Sequence, residues 1–206
     1  GTTISVNSTC VTVSAPVAGN VTNEALIGDP GEGYIPFEVY STITGQLINN
    51  GNIGGGYANV DGERGALTIR GGSTITGGIL NNLAITSVSG NGIQIGTGGE
   101  NGGFIQNGIT NTDDISSTLR YGIAGIEGSL SGGITNQNNA TISGGLAAIY
   151  VANGFGWTGD IINSGQISGF NAAIQLGGDG GESPALINFN GGIFNNSGGV
   201  IDSLGG

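Results

Sequence analysis

From Val17 onward the chain repeats one pattern seven times: apolar, any, glycine (Asn107 in one copy), any, apolar, any, asparagine. The copies read VAGNVTN, ITGQLIN, ITGGILN, IQNGITN, LSGGITN, WTGDIIN and FNGGIFN. Val17, Ile43, Ile75, Ile105, Leu130, Trp157 and Phe189 fill the first apolar position. Val21, Leu47, Ile79, Ile109, Ile134, Ile161 and Ile193 fill the second. The closing residue is Asn23, Asn49, Asn81, Asn111, Asn136, Asn163 or Asn195, at steps of 26, 32, 30, 25, 27 and 32 residues. Strand side chains alternate between two faces, so a single strand would turn both apolar residues, the glycine and the asparagine inward. The glycine would then sit where a narrow core has no room for a side chain. Repeats of this length mark stacked units that bury a core only against their neighbours.

The remainder of each unit also has a pattern. After the asparagine comes another apolar position, at Ile27, Ile53, Ile85, Ile115, Ile142, Ile167 or Ile201. A polar corner leads to a strand with two inward residues, as at Phe37 and Val39, Leu67 and Ile69, Ile93 and Ile95, Ile149 and Val151, and Ile174 and Leu176. The fourth unit offers Ile123 or Ile126 there. Gly, Asn and Asp at the corners suit the left-handed backbone of tight turns. The expectation is an all-β, single-stack parallel β-solenoid of about seven three-strand coils. It forms one domain over 1–206, with coils over 11–206 and residues 1–10 as an extending or capping strand.

An inward asparagine column predicts a stack of amides bonding to one another and to corner backbone, because a buried polar row must first satisfy itself. Trp157 and Phe189 share a column with aliphatic residues and are expected to fill core. The residue before each asparagine faces outward: Thr22, Ile48, Leu80, Thr110, Thr135, Ile162 and Phe194. Four of these seven are large and apolar, which makes the column a candidate lateral contact.

Composition narrows the function classes. There are 46 glycines in 206 residues but no three-residue period, which excludes collagen. Three arginines, no lysine and fourteen acids leave a net charge of −11, the wrong sign for nucleic acid or an anionic membrane. No apolar run approaches the length of a spanning helix. The lone Cys10 makes no internal disulfide framework; it is expected as a buried free thiol, with an intermolecular disulfide as the alternative.

Without histidine the chain has no Ser-His-Asp or Cys-His nucleophile and no imidazole metal site. Without lysine it has no Schiff base and no phosphate-loop cation. Hydrolysis of a polysaccharide needs two facing carboxylates, yet Asp29, Glu32, Asp61, Glu63, Asp113, Asp114, Asp179 and Glu182 do not recur at equivalent places. No catalytic residue and no cofactor is therefore expected, and a polysaccharide lyase or hydrolase is the last of the readings. The loops carrying Asp29 and Glu32, and Asp179 and Glu182, are rich in glycine carbonyls and are weak calcium candidates. Asn-x-Ser/Thr sequons stand at Asn7, Asn20, Asn139 and Asn195.

The runs INSGQISG, ITNQNNATISG and LINNGNIGG resemble repeats of bacterial autotransporter passenger regions and pectin-lyase-like β-helix adhesins. The likeness spans roughly residues 11–206 and rests on a motif of low complexity. It implies a right-handed parallel β-helix, export to the cell surface or medium, and an adhesive or structural role. These 206 residues include no membrane-barrel segment, so anchoring through a barrel is not implied.

The two ends add a mechanism. Ile4 and Val6, then Val11 and Val13, carry the two-residue pattern of the strand that the last unit lacks after Ile201 and Leu204. The expectation is a homopolymer in which the N-terminal strand of one copy completes the open coil of the next. Its interface residues are Ile4, Val6, Val11, Val13, Ile193, Ile201 and Leu204. Folding back of residues 1–16 as a cap is the competing arrangement. A monomeric adhesin that engages glycans or protein through the loop 177–188 is the second functional expectation.

Overall fold

A computed structural model describes residues 1–4, 8, 10–28, 35–55, 64–97, 102–152, 154–177 and 188–205. These residues form a parallel β-solenoid with four faces and no helix. In chain order each coil places a strand on the first face, as Thr42–Ile43 does, then one on the second, as Leu47–Asn49 does. The third and fourth faces follow, with Ile53–Gly54 and Gly65–Ile69 in that coil. The faces hold six, eight, six and seven strands respectively, and every pairing is parallel.

A coil has four strands where the sequence pattern predicts three. The repeat is not one strand, because the chain turns at the glycine and its two apolar positions lie on different faces. The glycine belongs to a corner and is small for another reason. A Cβ on Gly77 would lie 2.5 Å from the carbonyl carbon of Gly45 in the coil below. Where asparagine replaces it, Asn107 takes the left-handed backbone at φ 64°.

Five coils have all four strands, over 42–69, 74–95, 103–125, 128–151 and 156–176. The flanking coils are partial. Val17 and Ile27 join the first and third faces only as single bridges, and the last coil ends its strands with Val200–Ser203 on the third face. Below these lies one more partial layer. Thr2–Ile4 pairs with Val21–Asn23 on the second face, Ser8 bridges to Ile27 on the third, and Val11–Val13 pairs with Phe37–Val39 on the fourth.

Register holds along the whole stack. Val21, Leu47, Ile79, Ile109, Ile134, Ile161 and Ile193 are aligned partners, as are Ile27, Ile53, Ile85, Ile115, Ile142, Ile167 and Ile201. A slip of one residue would turn each such column outward, so burial fixes the register. In the irregular fourth unit Ile123, not Ile126, occupies the inward place, and Gly125 takes the position of Ile95 and Val151. The buried ring of Phe155 fills the room that this glycine leaves. Trp157 is buried with Phe189 against it, ring centroids 5.6 Å apart.

In its four middle strands the fourth face is buried on both sides. Its outward column of Thr68, Gln94, Ala124 and Tyr150 is out of solvent, and Tyr121 stacks on Tyr150 at 4.3 Å. Buried polar groups there bond locally, Thr68 to Gly65 and Gln94 to the Gly96 carbonyl. A parallel sheet covered on both faces is well suited to its evenly paired, slanted ladder.

Candidate functional site

The asparagines of the repeat form a continuous ladder on the second face. Each side-chain Nδ2 donates to the Oδ1 of the asparagine one coil on, from Asn23 to Asn49 and then to Asn81, Asn111, Asn136, Asn163 and Asn195. All six bonds are 2.8–2.9 Å. The second Nδ2 hydrogen reaches corner carbonyls, as from Asn81 to Asp114 and from Asn163 to Val200. Asn23 through Asn163 are buried, and no buried side-chain nitrogen or oxygen among the described residues lacks a partner. The row is thus saturated and has nothing left to offer a ligand.

A second, outer ladder runs beside it. Asn50 donates to Glu24, Asn82 to Asn50 and Thr112 to Asn82. Two residues in succession carry amides in LINN and ILNN, which is the sequence signal for it. The outward column of Thr22, Ile48, Leu80, Thr110, Thr135 and Ile162 is half-buried, and Phe194 is exposed.

The expected interface residues separate to the two ends of the rod. Ile4 lies opposite Asn23, so it closes the ladder from below with an apolar side chain. Ile4, Val11 and Val13 are partly buried against the core, as is Ile201 at the far end. Ile193 is 46% exposed and Leu204 64%, whereas Ile161, the partner of Ile193 one coil below, is fully buried. Val6 lies outside the described residues.

Cys10 is exposed, which corrects the buried thiol expected from sequence. It directly precedes Val11, whose side chain packs inward, so alternation turns Cys10 to solvent. The calcium candidates Asp29, Glu32, Asp179 and Glu182 lie outside the described residues, as does most of the loop 177–188. Among the described residues no three Cys, Asp or Glu side chains gather as a metal site. Of the sequons, Asn195 is committed to the ladder and donates to the Gly199 carbonyl, while Asn20 accepts from the Gln46 N–H.

Asp113 and Asp114 share one corner. Burial holds the Asp114 carboxyl above its ordinary range; a hydrogen bond from Ser116 opposes this, and the Asp113 charge adds to it. Arg70 pairs with Glu38 and lies over the Tyr40 ring, 5.2 Å from its centroid.

The geometry defines a parallel β-solenoid whose buried asparagine row is saturated. Comparison with protein-family models, with curated proteins and with solved structures found no match.

Proposed function

We propose that the chain is a non-enzymatic structural protein of the cell surface or extracellular medium, which assembles head to tail into a filament. Among known solenoids the reading places it beside autotransporter-passenger and pectin-lyase-like adhesins, on the strength of the repeat alone.

The observation that carries the proposal is the complementarity of the outermost described strands of the second face. Among the described residues Ile193 is 46% exposed, and Thr2–Ile4 and Ile193–Asn195 are the outermost strands of the second face, running in the same direction. At the lower end Thr2 N–H and Ile4 C=O bond to the second face of their own rod. Alternation then points both backbone groups of Thr3 to the open side. At the upper end Gly192 C=O and Asn196 N–H bond downward, which leaves Ile193 and Asn195 facing up. The two edges have the complementarity of every internal pair. Thr2–Ile4 of one copy can therefore add to Ile193–Asn195 of the next while it stays paired with its own Val21–Asn23. Such head-to-tail contacts do not close on themselves and give a fibre.

Light scattering and negative-stain microscopy of the 206-residue chain test this. The unaltered chain is expected to form unbranched fibres, and Thr3→Pro, which deletes the open-edge donor, is expected to leave folded monomers. Monomers of the unaltered chain at high concentration, or fibres of the Thr3→Pro chain, refute it.

A further inference from the structure

The corner between the second and third faces varies in length in a way that builds a slot. From the ladder asparagine to the next inward isoleucine the spacing is four residues in the first four coils, then six, four and six. The two longer corners each close a tight turn, with Ala140 N–H bonding to Gln137 C=O and Gly199 N–H to Asn196 C=O. Each turn needs a left-handed residue, Asn139 at φ 66° and Gly198 at φ 88°. The short corner of Ser164, Gly165 and Gln166 lies between them.

Two protruding turns two coils apart, roughly 9 to 10 Å by strand spacing, thus wall a slot whose floor is that short corner. Its volume is about 190 Å³. The floor is held low by Gly165, where a Cβ would come within 2.2 Å of the Ala140 carbonyl oxygen.

The lining decides the chemistry. Asn138, Asn139, Thr141, Ser164 and Gln166 supply donors and acceptors, and Val200 gives one apolar wall. The side chains of Asn138, Asn139, Thr141 and Gln166 make no hydrogen bond to other described residues, so they need not break one to bind. No charged residue lines the slot. An anion would meet no cation in a chain of charge −11, and a metal ion would meet no carboxylate. An apolar ligand would strand the polar side chains of Asn138, Asn139, Thr141 and Gln166.

We propose that this slot binds a neutral polyhydroxyl ligand, one residue of an uncharged glycan. Its volume is below the roughly 300 Å³ where drug-sized sites begin, which suits a single ring with the chain continuing into solvent on either side. Amide groups that both donate and accept match vicinal hydroxyls, and Val200 can meet the apolar face of the ring.

The inference does not rest on end-to-end assembly, so the Thr3→Pro monomer is the material for its test. Amide spectra of the isotope-labelled protein are recorded against methyl glycosides of glucose, galactose, mannose and N-acetylglucosamine, with glucuronate as a charged control. At least one neutral glycoside is expected to shift the side-chain amides of Asn138, Asn139 and Gln166, with a Kd on the order of a millimolar. Gln166→Ala is expected to weaken binding about tenfold. Deleting residues 138 and 139 restores the four-residue corner and removes one wall, and is expected to abolish binding. No shift with any neutral glycoside, equal binding of glucuronate, or undiminished binding by both altered chains overturns the proposal. If the deletion does not fold, Gln166→Ala alone decides, because its exposed side chain supports nothing in the rod.

Discussion

Replacing a ladder asparagine in the middle of the stack should cost far more than replacing the one at its end. Asn111 accepts from Asn81 at 2.8 Å and donates to Asn136, Asp113 C=O and Thr141 C=O at 2.9, 2.7 and 3.0 Å. Asn111→Ala takes the donor from three acceptors and one acceptor from the Asn81 Nδ2, which keeps only its bond to Asp114 C=O, while the Asn81 Oδ1 still accepts from Asn49. A buried polar group left unsatisfied costs about 1–3 kcal/mol. Two or three such groups, with partial relaxation, give about 3–5 kcal/mol, at the upper end for a single substitution. Asn195 is exposed, so water can replace its bond to Gly199 C=O, and Asn163, which loses its Oδ1 acceptor, keeps Gly165 C=O and Val200 C=O; Asn195→Ala should therefore cost about 0.5–1 kcal/mol. Urea unfolding followed by the emission of Trp157, the single buried tryptophan, reads both values. In a solenoid the loss also weakens the coupling of adjacent coils, which lowers the cooperativity of the transition. Equal destabilisation by the two substitutions, within about 0.5 kcal/mol, would refute the ladder as a source of stability.

Two further outcomes follow from the same packing. Phe155→Ala should destabilise by about 3–5 kcal/mol, because Gly125 beside it has no side chain to close the cavity; a loss under about 1 kcal/mol in urea unfolding would contradict the filling role. Asp114 holds its proton more tightly folded than unfolded, so its contribution to stability falls as pH rises from 3.8 through the raised folded value. Asp114→Asn should therefore stabilise the protein at neutral pH and flatten that part of the pH profile, and an unchanged profile would show that the carboxyl is not desolvated.

Much of the fold is legible in the residues because burial imposes a simple alternation. The Ile columns and the asparagine row could be aligned from sequence since each recurs once per coil and each must face inward to be satisfied. The number of faces was not legible. Ile-Thr-Gly-Gly-Ile-Leu-Asn is compatible with one strand or with two strands and a corner, and only close contact between stacked corners, as of Gly77 on Gly45, selects the second. Burial of Thr68 and Gln94 was also hidden, because polar residues at outward positions give no sign of being covered. Cys10 was misplaced for a related reason: its apolar character suggests burial, while its place next to Val11 decides against it. The slot, in contrast, was written in the chain as a six-four-six spacing, a signal of corner length that a search for apolar positions passes over.

The stacked, in-register asparagine row is the claim on which the rest stands, and nuclear Overhauser contacts between side-chain amides test it most directly. The account predicts contacts that link Asn49 to Asn81, Asn81 to Asn111 and Asn111 to Asn136, at sequence separations of 32, 30 and 25 residues. Amides that exchange rapidly with water and contact no other asparagine, or cross-strand contacts of antiparallel pattern, would contradict it.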